Sequence, residues 1–496
     1  MLFRRLSVFA GGFTLEAAEE VCGHSGDVEW DVADGIASLE EKSLLKRDER
    51  TANPRYTMHG TVREFAWDLL KANRENDSIM GQSAEFFISI AERANVNGPE
   101  RGDLFKALAI EHDNIRGVLE WAFVAHRAKT ALKITGSMGL FWLTTGHMRE
   151  AYSWFLKTLS MPGDRSSTSR ARTLLWAGRL AMFEGNRDRA SAFLNECAQI
   201  FDAVRDKIGL SQAHGNLGQL AERDGDDGAA TEHHGKSMTA LKEVGTTECI
   251  AQLLLLDGTM AYGGGNYSQA MESLEESLDL WRQIGDHIII SNVLFQLGET
   301  AMAQDDYGRA YGLLTEALAL RREFGTKSAL PMVLAVAGAL AIRQGDNDHA
   351  AELFREGLKE ARMMGARVLT AEALLPLAKV ELALGKDKKG SGLLKEGLTL
   401  AHEIDDRRLR IEFLDQLALR AHALDETDRC TRLLAATDAL RRDFAMAGSP
   451  GNQREEDSLV DNLRNQLEPK DFSDLWNQGC RMAKDEAVQY ALSDDE

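Results

Sequence analysis

One spacing constrains this chain more than any other feature: a small residue recurs every forty positions, at Gly178, Gly218, Gly258, Gly298, Gly338, Ala378 and Ala418. Twelve residues after each comes another small one: Ala190, Ala230, Ala270, Ala310, Ala350, Gly390 and Cys430. Four further on stand Leu194, His234, Leu274, Leu314, Phe354, Leu394 and Leu434, and three beyond those Cys197, Ser237, Ser277, Ala317, Gly357, Gly397 and Thr437. Within a unit, apolar residues return at three- and four-residue spacing, as in Leu274, Leu278 and Trp281, which marks one buried helical stripe. Between the first two columns runs a turn such as Gly264-Gly-Asn-Tyr or Gln344-Gly-Asp-Asn, where Gly supplies a positive φ and Asn or Asp tolerates one. Each unit is therefore read as helix A, short turn, helix B. Neither helix buries its stripe alone, so the units are expected to stack into a superhelix, the small columns marking close approach of helices.

The totals agree with a mainly all-α chain. Seven prolines in 496 residues suit helices, and forty-three glycines find their place in the turns and small columns. A net charge of −20 argues against broad binding to nucleic acid or anionic membrane, because phosphate affinity comes from Lys and Arg. The five cysteines stand far apart with no CxxC pair, which matches neither a disulfide framework nor a zinc site. No apolar run reaches the roughly 18 residues of a membrane span. The opening Met1-Leu-Phe-Arg-Arg-Leu-Ser-Val-Phe-Ala-Gly-Gly-Phe imitates a secretory leader, but no small-residue cleavage site follows, so a cytoplasmic location is expected.

The four columns resemble the tetratricopeptide repeat, whose usual unit is about 34 residues. Here the extra length falls at the B-to-next-A junction, as at Trp281-Arg-Gln-Ile-Gly-Asp-His. An earlier unit around Gly146-His-Met-Arg-Glu-Ala brings the number of helical hairpins to about eight. His234 departs from the pattern by occupying an apolar position, which reads as a satisfied buried histidine or a looser repeat. The resemblance places the A helices on the inner wall. By register it implies partner contacts at Arg179, Gln212, Gln219, Gln252, Tyr262, Asn292, Phe295, Glu299, Met302 and Lys379, with Thr259 and Met332 on the same wall. That lining suits a protein or an extended peptide.

The first 80 residues follow another pattern. A short apolar helix over 2–9, a second over 15–22 capped by Thr14, and a third opened by Asp31 or Asp34 precede two strands around Thr51-Ala-Asn-Pro and a helix over 61–72. This is a winged-helix order. Arg5-Leu-Ser-Val-Phe-Ala-Gly-Gly-Phe-Thr-Leu-Glu-Ala-Ala, Leu39-Glu-Glu-Lys-Ser-Leu-Leu and Arg55-Tyr-Thr-Met-His-Gly-Thr-Val-Arg-Glu-Phe-Ala resemble the winged-helix segment of bacterial STAND-class, LuxR-type transcriptional regulators. Ile110-Glu-His-Asp-Asn-Ile-Arg-Gly-Val-Leu-Glu-Trp-Ala resembles the segment that joins their ATPase module to a repeat sensor, and 474–491 the segment that closes the sensor. The expected division is a winged helix over 1–80, a helical connector over 81–130, the repeat superhelix over 131–440 and a helical cap over 441–496.

Two departures qualify the resemblance. No G-x-x-x-x-G-K-[ST] phosphate loop occurs, and no second helix-turn-helix follows the tail, so the chain reads as a stand-alone, truncated or split sensor half whose ATPase module would be a separate partner. The helix that would enter a DNA groove, Asp31-Val-Ala-Asp-Gly-Ile-Ala-Ser-Leu-Glu-Glu-Lys, carries four acids and one lysine and would repel phosphate. In regulators of this class the module packs and switches internally. No catalytic, metal or cofactor constellation stands out. His233 and His234 are sequence neighbours about 100° apart on a helix, and His112 with Asp113 suits capping or inter-domain hydrogen bonding. The expectation is a non-enzymatic regulatory module binding a protein, peptide or small effector. Its alternatives are a general repeat scaffold and a DNA-contacting regulator.

Overall fold

The computed structural model describes residues 1–23, 31–48, 54–163, 165–443 and 450–493. At the N-terminus, α1 (Leu2–Arg5) runs into a 3-10 turn over Leu6–Val8, so the apolar opening is not the single helix its pattern suggests. Then come β1 (Phe13–Thr14), α2 (Leu15–Cys22), α3 (Val32–Glu41), β2 (Lys46–Asp48), β3 (Arg55–Thr57) and α4 (Gly60–Ala72). Thr14 and Asp31 cap α2 and α3 through their side-chain oxygens, as expected of such residues before a helix. The hairpin is in fact one side of a three-stranded antiparallel sheet in the order β1-β3-β2, with Phe13 opposite Tyr56 and Arg47 opposite Tyr56. Thr51-Ala-Asn of the expected hairpin turn lies outside the described residues. A connector of α5 (Asn76–Arg93), α6 (Arg101–Ile110) and α7 (His112–Val124) follows.

Eight helical hairpins come next among the described residues. They are α8 (Ala128–Thr145) with α9 (Met148–Ser160), α10 (Thr168–Glu184) with α11 (Arg187–Ala203), α12 (Lys207–Asp224) with α13 (Asp227–Val244), and α14 (Thr247–Gly263) with α15 (Tyr267–Ile284). The second four are α16 (His287–Ala303) with α17 (Tyr307–Glu323), α18 (Leu330–Arg343) with α19 (Asn347–Met364), α20 (Arg367–Ala383) with α21 (Asp387–Glu403), and α22 (Arg407–Ala423) with α23 (Thr427–Asp443). The chain ends in α24 (Pro450–Gln466), α25 (Pro469–Cys480) and α26 (Lys484–Leu492). There α25 and α26 lie on α23, and the Arg429 guanidinium donates to the Ala491 carbonyl at 3.1 Å.

The columns have a specific mechanical meaning. A Cβ added at Gly298 would lie 2.8 Å from Leu314 Cδ2, and one added at Gly338 would lie 2.5 Å from Phe354 Cε1. The large residue of helix B thus seats its side chain directly on the small residue of helix A. The small column is a socket for a side chain more than a place where two backbones meet. In the turns the duties are divided: Gly345 holds the left-handed conformation at φ 82°, while Asp346 accepts from the His349 N–H at 3.0 Å and caps α19.

The A helices of successive repeats touch one another (α14 with α16, α16 with α18, α20 with α22), and the B helices pack outside them. This curvature brings the array back on itself. Arg101, before the repeats, pairs with Asp286 at the α15–α16 junction at 2.8 Å, with side chains 3% and 0% exposed. The Lys327 N–H, between α17 and α18, donates to the Thr144 carbonyl at 2.6 Å. Arg223 of α12 reaches Glu372 of α20 at 3.2 Å. The early part of the chain therefore rests on the α15–α16 and α17–α18 junctions and on α20.

Candidate functional site

The inner wall follows from burial along each A helix. In α16 the residues left half-covered fall at Ile289, Asn292, Gln296 and Glu299, a three- and four-residue stripe on the side turned away from the B helices. The same register holds in the neighbours: Gln212, Asn216 and Gln219 on α12, Gln252, Leu256 and Thr259 on α14, Met332, Val336 and Ala339 on α18, and Glu372, Pro376 and Lys379 on α20. Side-chain amides crowd the middle of this wall, and its chemistry becomes apolar at α18.

The structure places Gln212, Gln219 and Lys379 exposed on the stripe, and Arg179, Gln252, Asn292 and Glu299 half-buried on it. Two of these are already engaged by the fold. Arg179 lies over the Trp176 ring at 5.3 Å, and Asn292 Oδ1 accepts from Arg321 at 2.9 Å. Tyr262 is 36% exposed at the end of α14, its ring 5.7 Å from that of Tyr267. Phe295 is not on the wall: it is 6% exposed and packs in the apolar cluster with Leu294, Leu297 and Leu314. Register fixes distance along a helix but not the angle at which a face meets its neighbours, and Phe295 turns into the core. Met302 is half-buried against the same cluster. Sequence reasoning missed the middle positions, Asn216, Leu256, Gln296 and Val336, which the same forty-residue register would have supplied.

Electrostatics set two wall residues apart. Burial pushes the Glu299 carboxyl up to about 7 and brings Arg179 down to about 10. On the other side of the wall burial also pushes the Glu372 carboxyl up, but Glu372 faces Arg223 and Arg408, which pull it back, and Glu412 faces Arg408.

His234 sits on the third socket, where a Cβ on Gly218 would lie 2.5 Å from its ring, and its Nε2 meets Glu222 Oε1 at 2.9 Å. His233 instead faces His214 across the hairpin, with the two Nδ1 atoms 3.1 Å apart.

A second polar site joins the N-terminal module to the connector. Asn114 of α7 accepts from the Gly11 N–H at 2.8 Å and donates to the Gly12 carbonyl at 2.8 Å. Arg55 of β3 pairs with Glu111 and donates to the Gly12 carbonyl at 3.0 Å. Beneath them Trp142 Nε1 donates to His112 Nε2 at 2.9 Å, which requires a neutral imidazole, and burial lowers His112 to about 4. The His112 reading as an inter-domain hydrogen-bonding residue therefore has a geometric basis.

The family model described as a winged helix-turn-helix domain matches residues 1–71. Residues 1–71 are a winged helix-turn-helix domain. The model described as a tetratricopeptide repeat matches 293–328, which is most of the α16–α17 hairpin and the start of the next junction. The chain thus joins a winged helix to a tetratricopeptide-like solenoid. Proteins of Mycobacterium tuberculosis and Mycobacterium bovis, provisionally named as HTH-type transcriptional regulators, are 32% identical over 158 residues. That alignment takes in 31% of this chain and 18% of each relative, so the chain spans less than a fifth of the length of the curated relatives it matches. Among solved structures, a STAND protein with a tetratricopeptide repeat sensor from Pyrococcus horikoshii is 15% identical. It covers 81% of this chain and 62% of its own at a TM-score of 0.41. A Rap protein complexed with competence and sporulation factor is 14% identical, covering 72% and 99% at a TM-score of 0.44.

Among the described residues, no helix is long and apolar enough to cross a membrane.

Proposed function

We propose that this chain is a non-catalytic regulatory binding module, the sensor part of a STAND-type transcriptional regulator, whose A-helix wall takes a protein or peptide and whose winged helix passes the event on. The observation that carries this reading is the wall itself: one stripe, repeated every forty residues from α12 to α20, left open by the packing and lined by amides, charges and apolar groups together. Its division into winged helix (1–80), connector (81–130), superhelix (131–440) and cap (441–496) belongs to the same proposal, as do a cytoplasmic location and a separate ATPase module or small effector as partner. Against DNA as the main partner stands α3, whose exposed side chains include Asp31, Asp34 and Glu41 around the groove-facing position. The polar joint at Asn114 and Arg55 supports a winged helix that docks on its own connector.

The test uses the full chain with Gln212, Gln219, Tyr262 and Lys379 changed together to Ala, all exposed positions whose loss leaves the core intact. Capture of peptides from a synthetic array should fall at least tenfold, with the thermal midpoint unmoved. Equal capture by parent and variant sinks the wall as the binding surface. A gel-shift series in rising salt runs beside it. Tight, salt-sensitive DNA binding would favour the DNA-contacting alternative.

A further inference from the structure

Among the described residues, Glu299 differs from the wall acids Glu372 and Glu412 in having no cationic partner. Its neighbours at comparable depth are matched with cations, as the Arg223–Glu372, Arg408–Glu372 and Arg408–Glu412 pairs show at 3.2, 3.4 and 2.9 Å. Deeper still, Glu381 is wholly covered and collects Arg355, Lys386 and Lys389. Among the described residues no basic side chain pairs with Glu299. Of the helices packed on α16, α14 brings Tyr262 beside it, close enough for the two charges to influence each other, and α15, α17 and α18 bring no charge that shifts it. One turn earlier, Thr259 Oγ1 donates to Gln296 Oε1 at 2.6 Å, which holds α14 and α16 in register under the pair. The carboxyl therefore faces the open side of the stripe with its surroundings fixed, a partly exposed aromatic ring at its edge and the half-buried Met302 one turn on.

A desolvated carboxyl of this kind is completed by a positive charge, and an aromatic ring in its neighbourhood can add to the attraction for an ammonium or guanidinium group. We infer that Glu299 and Tyr262 form a cation subsite on the wall, taking a lysine or arginine side chain of a bound peptide. The inference rests on the reading that this wall binds peptides, and it names the chemistry of the ligand at one point.

The probe is a random peptide library displayed on phage and selected against the full chain at pH 8. The winning peptides should share a basic residue at one position. Their affinity should fall about tenfold between pH 8 and pH 6, because the ionised fraction of a carboxyl titrating near 7 drops from about nine-tenths to about one-tenth. Glu299→Gln should bind the winners at least tenfold more weakly and abolish the pH slope, while Glu299→Asp keeps part of both. The thermal midpoint of Glu299→Gln should equal or exceed the parent's, since it removes a desolvated acid, which shows that the loss is not misfolding. Winners without a basic residue that still lose binding in the four-alanine wall variant would overturn the subsite and leave the wall standing. Basic winners that bind Glu299→Gln equally well would do the same. A library with no winners at all overturns both.

Discussion

The hairpin interiors and the joint between winged helix and connector are held in opposite ways. In the fifth hairpin Leu314, 2% exposed, seats on Gly298 with no polar atom involved. At the joint the closing contacts are Asn114 to Gly11 and Gly12 and Arg55 to Glu111 and Gly12, and directly behind them Trp142 of α8 donates to His112 at the start of α7, all hydrogen-bonded or charged and largely buried. A socket of the first kind responds to side-chain volume and is indifferent to pH. A joint of the second kind is strong only while every partner is satisfied and in the right protonation state. The difference teaches that the two regions should answer to different perturbations: the sockets to side-chain volume, the joint to protonation.

The comparison breaks most visibly through the socket. Leu314→Ala should cost about 2–5 kcal/mol of local stability, because it empties a site whose glycine floor cannot rise to fill it. The loss should be read as a lower thermal midpoint that is the same at pH 7 and pH 5.5. A midpoint within a degree of the parent's would mean the socket is not a packing unit.

The joint should show the reverse pattern. His112 is 6% exposed and its pKa is lowered to about 4 in the fold, so the unfolded chain binds a proton that the folded one refuses. The stability this contributes is complete above the ordinary imidazole value near 6.5 and is lost as pH falls toward 4, on the order of 3 kcal/mol in all. Hydrogen exchange of α7 and of 11–14 should quicken on going from pH 7 to pH 5, while the amides of α16 and α17 change little. A uniform response across both regions would erase the distinction.

The smallest effect lies in the third hairpin, which borrows from both kinds. His234 fills a socket but among the described residues its Nδ1 finds no partner, while its Nε2 meets Glu222. The apolar clusters on either side stop there, one ending at Leu220 and the next starting at Ala251. His234→Leu should restore the column, leaving stability unchanged or raising it by about 1 kcal/mol, measured by denaturant at neutral pH. A loss of more than that would show the histidine to be satisfied where it stands.

Much of the array was legible because it rests on short-range rules. A helix with Gly at one position and Leu sixteen later can pair with the next only by seating one on the other, and a turn of the form Gly345-Asp346 both ends and begins a helix. The wall was half legible for the same reason: Gln212 and Gln219 follow from register, whereas Phe295 shares their helical layer and turns inward. The third strand, β1, was illegible because two residues carry no alternation to read.

By itself, then, the sequence determined the hairpins, their number and their spacing, since each is built from contacts within about forty residues. Only the tertiary structure decided which charges are satisfied. Arg101 meets Asp286 and Arg223 meets Glu372 because the superhelix closes on itself, bringing together residues 185 and 149 apart in the chain. The same closure passes Glu299 by, and nothing in its neighbours along the sequence distinguishes it from the acids that are paired. Local pattern carries no information about curvature summed over five repeats, where small rotations at each junction accumulate into the contacts that matter.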